Sequence, residues 1–363
     1  MSESLQALSE AGVSIWLDDL SRDRLQTGSL SKLIEDSYVV GVTTNPSIFS
    51  AAISGSTLYK EDILELKQEG FSTSDIVTEL TTSDVRNACD LFLPTFLETN
   101  QVDGRVSIEV DPRLAYNTTE TISQGKQLHS LVNRPNLLIK VPATLDGLPA
   151  IEELTAQGIS VNVTLIFSTP RYEAVMDAFI RGIERRLANG LPVSQIHSVA
   201  SFFVSRIDAD IDKKLDAISE NHPLRGKAAI ANAVLAYEAF LKVSHSPRWQ
   251  KLADRGANMQ RPLWASTGVK DKSYDSTRYV IELTAPHCVN TMPEGTLNEV
   301  RAHGKVRGDS ITPAIAQSHK VFSDLAAAGI DFTAVVNFLE DDGVIKFEKA
   351  WEELLANVES VSQ

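Results

Sequence analysis

Eight short apolar segments, each followed by a stretch of helical character, constrain the fold of this chain most strongly. They cover residues 14–20, 38–44, 105–111, 136–143, 159–167, 198–204, 262–267 and 287–292. Continuous apolar runs of this length are typical of parallel strands that are covered on both faces. The succession therefore predicts an α/β fold, a single (β/α)8 TIM barrel with extra N- and C-terminal helices and loop insertions. An open doubly wound sheet is the alternative, although no glycine-rich turn follows the first segment.

The segments between the strands predict the helices. Residues 21–37 are polar and helix-prone, and Asn45-Pro46 is a favourable helix entry, with asparagine as the N-cap. Further helices are predicted at 1–12, 55–66, 72–80, 84–98, 118–131, 151–157, 170–188, 226–243, 276–283, 311–328 and 343–356. Neither a low-complexity linker nor a shift in composition divides the chain, so residues 1–363 are interpreted as one domain.

Composition excludes several classes of function. The net charge is −14 and no basic block is present, which disfavours a nucleic acid or an anionic membrane as partner. Cys89 and Cys288 are far apart in the sequence, and no His or Cys pair has metal-ligand spacing. We expect no metal and a reducing, cytoplasmic location. No signal peptide or membrane span is indicated. The sequence does not decide between a monomer and a homodimer.

Lys140 is the most informative single residue, because it interrupts the apolar octapeptide Asn136–Ala143. Lysine is rarely buried unless it is paired or has a chemical role. An ammonium group in an apolar site loses solvation, which favours the neutral, nucleophilic amine that forms Schiff bases. The alternative is a strand-end lysine whose stem covers apolar surface while its ammonium group lies in water.

Polar side chains collect at the C-terminal ends of the predicted strands, where barrel enzymes have their active sites. They are Asp18, Asp19, Asn45, Glu109, Asp111, Lys140, Asn162, Thr164, Ser201, Arg206, Ser266 and Lys270. Each has a simpler interpretation by itself. The aspartates can cap a helix or hold Mg²⁺, Asn45 can be only an N-cap, Asn162 and Thr164 can be satisfied core groups, and Arg206 can pair with Asp208 or Asp210.

The combination of these groups favours one chemistry. A lysine amine adds to a ketone and loses water to give an iminium, which accepts the electrons of an adjacent carbon–carbon bond as that bond breaks. One carboxylate takes the hydroxyl proton, and a second group transfers protons during imine formation. A guanidinium such as that of Arg206 suits a phosphate.

Six motifs, in order along the chain, resemble the transaldolase family. They are Trp16-Leu-Asp18, Gly41-Val-Thr-Thr-Asn-Pro-Ser47, Ser107-Ile-Glu-Val-Asp111, Leu138-Ile-Lys140, Asn162-Val-Thr164 and Ser201-Phe-Phe-Val-Ser-Arg206. The resemblance implies a barrel without a cofactor and with sugar-phosphate substrates. It implies transfer of a dihydroxyacetone unit from sedoheptulose 7-phosphate to glyceraldehyde 3-phosphate, giving erythrose 4-phosphate and fructose 6-phosphate in the pentose phosphate pathway.

The resemblance also implies a role for each matching residue. Lys140 is the Schiff-base nucleophile, Asp18 is the acid/base for carbon–carbon cleavage, and Glu109 acts through a water held with Thr164. The substrate-binding residues are Asn45, Asn162, Ser201, Phe203 and Arg206. Many members carry an arginine after the seventh strand as a second phosphate ligand, but here the run is Ala265-Ser266-Thr267-Gly268-Val269-Lys270. Ser266 and Lys270 are therefore the candidates at that position, Lys270 as a point charge.

Two other functions stay open at this point. A Schiff-base aldolase that releases free dihydroxyacetone needs almost the same residues, so an acceptor requirement distinguishes it. A sugar-phosphate-binding barrel without catalysis is the third possibility, although Lys140, Asp18 and Glu109 are all present. The chain also exceeds the shorter family members near residues 20–37 and 245–260, and the sequence assigns these insertions no role.

Overall fold

The predicted barrel is confirmed by the computed structural model, which describes residues 2–361. Eight parallel strands form one closed barrel in chain order, β1 to β8. The strands are β1 Ser14–Leu17, β2 Val39–Val42, β3 Arg105–Glu109, β4 Leu137–Pro142, β5 Val161–Ile166, β6 Ser198–Phe203, β7 Arg261–Ala265 and β8 Val289–Met292. Because all strands run in the same direction, their C-terminal ends form one rim of the barrel.

Sixteen α-helices lie among the described residues, around the barrel and at its ends. They are α1 Glu3–Glu10, α2 Arg22–Gln26, α3 Ser29–Ser37, α4 Pro46–Ser54, α5 Lys60–Gln68, α6 Thr73–Glu98, α7 Thr118–Val132, α8 Gly147–Ala156, α9 Thr169–Ala188, α10 Ser205–Ile218, α11 Ala228–Ser244, α12 Pro247–Ala253, α13 Arg278–Ile281, α14 Glu294–His303, α15 Ile315–Ala327 and α16 Phe332–Val361. Three 3-10 turns are Thr57–Tyr59, Pro112–Leu114 and Thr312–Ala314.

Helix boundaries differ from the prediction in several places, and the closing helix α16 begins at Phe332 instead of residue 343. The helices expected at 72–80 and 84–98 are one continuous helix, α6, which even contains Pro94. Its buried face packs along β3 and α16, and this tertiary packing overrides the polar interruption near Ser83. Helices α10, α12 and α14 were not predicted. In α10 the signal is present, because Ile207, Ile211 and Leu215 recur at helical spacing and are buried.

The barrel interior explains one glycine of the second strand. Gly41 lies opposite Trp16 in the β1–β2 register, and Trp16 is fully buried. A Cβ atom on Gly41 would lie 2.6 Å from the Trp16 ring. The absent side chain thus gives the indole its space in a densely packed core.

No single helix in the described part of the chain has both the length and the apolar composition of a membrane span. One helix pair bent by 97°, Thr312–Ala327 with Phe332–Val361, meets those criteria on length and composition alone.

Candidate active site

A cavity of about 240 Å³ lies at the C-terminal ends of the strands. The family resemblance assigned a role to eleven residues, and nine of them line this cavity: Asp18, Asn45, Lys140, Thr164, Ser201, Phe203, Arg206, Ser266 and Lys270. The other two, Glu109 and Asn162, lie beside it within the barrel and do not form its wall. The strands thus gather side chains that are far apart in the sequence at one rim.

The strand register sets three of these residues at one level. Glu109 of β3 lies opposite Lys140 of β4, and Lys140 lies opposite Asn162 of β5. This alignment places a carboxylate, an amine and an amide side by side across three adjacent strands. Their mutual position therefore rests on backbone pairing, which is the most rigid support that a barrel offers.

Lys140 is almost completely enclosed, with 5% of its side chain exposed. Its Nζ donates a hydrogen bond of 2.7 Å to the backbone carbonyl of Thr44, and it lies 3.1 Å from Oε2 of Glu109. The prediction that this lysine is buried and paired is correct, and the alternative of a solvated strand-end lysine is wrong. The carbonyl and the carboxylate together orient the amine toward the cavity, and the carboxylate can accept a proton from it.

Glu109 and Thr164 carry buried oxygens that have no hydrogen-bond partner among the described residues. They are Oγ1 of Thr164 and Oε1 of Glu109, whereas Oε2 of Glu109 faces the Lys140 ammonium group at 3.1 Å. Burial raises the pKa of Glu109, and the neighbouring Lys140 charge opposes that shift. Buried polar groups without partners are rare, and at active sites they are groups that a substrate or a catalytic water bonds.

The strand that carries Thr164 is irregular at this point. Leu165 has a positive φ of 61°, and the β5–β6 register shifts between Val163 and Ile166. A left-handed backbone is unfavourable for leucine and persists only where packing enforces it. Leu165 is buried, and Gly343 of α16 lies close to its side chain. The bulge thus turns β5 next to the cavity, as bulges beside active sites commonly do.

Asp18 follows β1 and accepts a hydrogen bond of 2.6 Å from the Thr43 hydroxyl. The Thr43 oxygen is also 2.6 Å from that of Thr291. Burial raises the pKa of Asp18, while the Lys140 charge and then the Thr43 hydrogen bond oppose the increase. A carboxyl group whose proton affinity is raised by burial is suited to acid/base chemistry.

The neighbouring Asp19 does not enter this site. It binds Arg24 at 2.5 Å, and Arg24 also pairs with Glu294. The two aspartates therefore have separate partners, as strand alternation predicts. No group of three or more His, Cys, Asp or Glu side chains within residues 2–361 could hold a metal ion.

The two asparagines have different positions. Asn45 caps α4, with Oδ1 accepting from the Ile48 backbone at 3.0 Å, and it also lines the cavity. Asn162 is fully buried, donates to Ser107 Oγ at 2.9 Å and accepts from Ser201 Oγ at 2.7 Å. In the structure the Asn162 amide therefore bonds Ser107 and Ser201, and the contact with the substrate that the resemblance implies stays a prediction.

A cationic end of the cavity is formed by Arg206 and Lys270. The Arg206 guanidinium stacks 5.0 Å from the Phe203 ring centre, and its Nη1 is buried with no partner among the described residues. The alternative ion pair with Asp208 or Asp210 is not formed: Asp208 binds Tyr279, and Asp210 pairs with Lys214. Burial lowers the pKa of both Arg206 and Lys270, and Arg206 further lowers that of Lys270. Two desolvated cations with few counter-charges are suited to a phosphate.

Some cavity residues were missed from the sequence. They are Thr43, Ala265, Gly268, Thr291, Pro293 and Phe347. Thr43 lies within the Gly41–Ser47 motif, and Thr291 lies at the end of a predicted strand, so both had a signal. Phe347 had none, because it comes from the long C-terminal helix α16 and reaches the cavity only through tertiary packing.

The comparisons with known proteins agree with this geometry. The sequence model described as transaldolase/fructose-6-phosphate aldolase matches residues 15–358. The chain belongs to this family. A transaldolase of Saccharopolyspora erythraea is 55% identical over 98% of this chain and 97% of its own. Transaldolases of an Arthrobacter species and of Mycolicibacterium smegmatis are each 56% identical, over 99% and 97% of this chain and 97% and 95% of their own.

The family membership predicted from the six motifs is therefore confirmed. The family's description covers both transaldolases and fructose-6-phosphate aldolases. Similarity over nearly the whole of both chains to proteins named transaldolase supports the predicted transferase activity.

Proposed function

We propose that this protein is a transaldolase that moves a dihydroxyacetone unit between sugar phosphates through a Schiff base on Lys140. Sedoheptulose 7-phosphate is the donor and glyceraldehyde 3-phosphate the acceptor, within the pentose phosphate pathway. The observation that carries the proposal is an enclosed lysine whose Nζ lies 3.1 Å from the carboxylate of Glu109, at the wall of a cavity with cations at one end.

The first half of the reaction forms the iminium. The Lys140 amine adds to the ketone carbon of the donor, and the carbinolamine loses its hydroxyl as water. Glu109 takes the proton from the nitrogen and returns one to the departing hydroxyl, and Thr164 fixes the water between them. Oε1 of Glu109 and Oγ1 of Thr164, which are buried without a partner among the described residues, support this role.

The second half breaks and remakes a carbon–carbon bond. Asp18 removes the proton from the hydroxyl on the far carbon of the bond that breaks, and this oxygen becomes the aldehyde of the departing sugar. The electron pair of the broken bond moves into the iminium to give an enamine. An aldose phosphate leaves, and the enamine carbon attacks the aldehyde of the acceptor while Asp18 returns the proton. Release by hydrolysis restores the Lys140 amine.

The remaining cavity residues bind and orient the sugar. Arg206, whose guanidinium lies over the Phe203 ring, bonds the phosphate, and Lys270 supplies a second charge in place of the arginine that many family members carry. Ser201, Asn45 and Ser266 face the sugar hydroxyls. Asn162 is fully buried and positions the Ser201 hydroxyl through their hydrogen bond.

The experiment mixes the enzyme with fructose 6-phosphate and follows glyceraldehyde 3-phosphate, with and without erythrose 4-phosphate. We expect one equivalent per enzyme without the acceptor and continuous turnover with it. Continuous release without the acceptor would instead establish an aldolase. Release of nothing in either case would contradict both activities.

A variant locates the covalent step. Lys140→Ala should abolish the burst and the adduct that borohydride traps, while circular dichroism shows a folded barrel. The matched control is Lys214→Ala, which removes an exposed lysine of α10 paired only with Asp210. Substantial transfer by Lys140→Ala would overturn the assignment of the nucleophile.

A further inference from the structure

A second, larger cavity lies at the opposite end of the barrel. It has a volume of about 640 Å³, and its wall includes Arg105 and Arg261, the first residues of β3 and β7. Residues near the N-terminal ends of β4 and β6 and the segment before β8 complete its floor. We call it the N-terminal pocket. Its size falls within the range of small-molecule sites in proteins.

The insertion near residues 245–260 builds one side of this pocket. It contains α12 and supplies Trp249, Gln250, Asn258 and Met259 to the wall, opposite Tyr237 and Phe240 of α11. Trp249, Tyr237 and Phe240 are almost fully buried. The insertion thus encloses an aromatic cavity, which is a structural role that the sequence alone did not indicate.

The charge of the pocket is the decisive feature. The chain carries a net charge of −14, yet no aspartate or glutamate of residues 2–361 lines this pocket. The carboxylate of Asp103 lies behind the pocket and already accepts hydrogen bonds from Ser14, Trp16 and Arg261.

Arg105 has no carboxylate of its own. It is 1% exposed, and its Nε and Nη2 bond only to the Gln101 carbonyl, at 2.9 and 2.6 Å. Its Nη1 is buried without a partner in the described part of the chain. A buried guanidinium normally has an anionic partner, because desolvation of an uncompensated charge is costly.

His197 adds a hydrogen-bond donor at the same end of the pocket. Burial, and then the charges of Arg105 and Arg261, lower its pKa to about 3. Its ring is therefore neutral and contributes an N–H group without a competing charge. The two arginines and Asp103 leave one net positive charge beneath an aromatic enclosure.

We propose that the N-terminal pocket binds a singly charged organic anion with an aromatic or large aliphatic body. The charged end, a carboxylate, sulfonate or phosphate diester, lies toward Arg261 and His197, and Arg105 stabilises it as a fixed buried charge. The apolar body packs against Trp249, Tyr237 and Phe240. The site is separate from the catalytic cavity, which lies at the other end of the barrel.

The test compares two dyes that share their rings and differ in charge. The probe is 8-anilinonaphthalene-1-sulfonate, and the matched neutral dye is N-phenyl-1-naphthylamine. Both are titrated into the full-length enzyme by fluorescence. We expect the sulfonate to bind about tenfold or more tightly than the neutral dye, because charge-assisted bonds add to the same apolar contact.

Three variants locate the binding. Arg261→Gln should weaken sulfonate binding about tenfold, leave the neutral dye little changed and retain the transfer rate. Arg248→Gln is the control, because Arg248 lies on α12, which borders the pocket, but pairs with Asp177 and Glu184 outside it. Arg206→Gln should leave dye binding unchanged.

Several results would overturn the proposal. They are equal affinities for the two dyes, unchanged sulfonate binding by Arg261→Gln, or loss of binding by Arg206→Gln, which would put the dye in the catalytic cavity. The comparison of the two dyes needs no variant, so the test stands even if Arg261→Gln does not fold.

Discussion

The hydroxyl of Thr43 controls the proton affinity of Asp18, and Thr43→Val tests this control. Valine keeps the shape of threonine and removes the donor of the 2.6 Å hydrogen bond to Asp18 Oδ1. The bond stabilises the carboxylate and therefore lowers the pKa of Asp18, against the larger increase that burial causes. Without the hydroxyl the pKa rises further, and Asp18 loses its basic form at a higher pH.

The magnitude follows from the charge of the acceptor. A hydrogen bond to a charged group is worth about 1.5–3 kcal/mol, and one pKa unit corresponds to about 1.4 kcal/mol. The acidic limb of the cleavage rate should therefore move about 1–2 pH units to higher pH. Well above that limb the rate of the variant should approach that of the native enzyme, because the carboxylate is then fully formed.

The assay is a single-turnover measurement of glyceraldehyde 3-phosphate release from fructose 6-phosphate as a function of pH. Thr291→Val is the control, since Thr291 contacts the Thr43 oxygen and is not itself bonded to Asp18. The acidic limb of the Thr291→Val cleavage rate should move less than that of Thr43→Val. An unmoved limb in Thr43→Val, or a shift to lower pH, would refute the assigned role of the hydroxyl.

The remaining predictions concern substrate binding and stability. Arg206→Met should raise KM for fructose 6-phosphate by about 10–100-fold and leave KM for unphosphorylated fructose nearly unchanged. Lys270→Met should raise KM for fructose 6-phosphate by a smaller factor. Equal effects on the KM values of both sugars would exclude contacts of these side chains with the phosphate. Gly190→Ala should lose about 1–2 kcal/mol of unfolding free energy, since Gly190 has a φ of +71° with open space around it. Gly104→Ala should lose about 1–3 kcal/mol more unfolding free energy than Gly190→Ala, because its Cβ would collide with the Phe96 backbone. Denaturant titrations measure both losses, and equal losses in the two variants would disprove the collision.

Local sequence patterns predicted the barrel because each strand and most helices carry their own signal. The apolar runs place all eight strands within a few residues, and the Asn45-Pro46 pair predicts the start of α4. The missed helices have a different cause. The predicted sixth strand extends past Phe203 and so obscures the start of α10. Helix α12 lies in an insertion whose packing is defined only by the folded barrel.

The catalytic candidates were found by their position at strand ends, yet their partners were not. Strand order puts Lys140 next to Glu109, but the bond from Thr43 to Asp18 depends on the spacing of loops from different strands. The motif around Asn162 likewise does not show that its amide bonds Ser107 and Ser201, because those residues lie on other strands.

Periodicity and motif spacing are properties of the chain alone, so they were enough to predict the fold class, the family and the buried lysine. The tertiary structure decided which groups share a cavity, which oxygens lack partners, and that Phe347 closes the wall. It also decided that the 245–260 insertion encloses a cationic pocket at the other end. The physical reason is that burial and charge compensation depend on distances between residues remote in sequence, and those distances exist only once the barrel has closed.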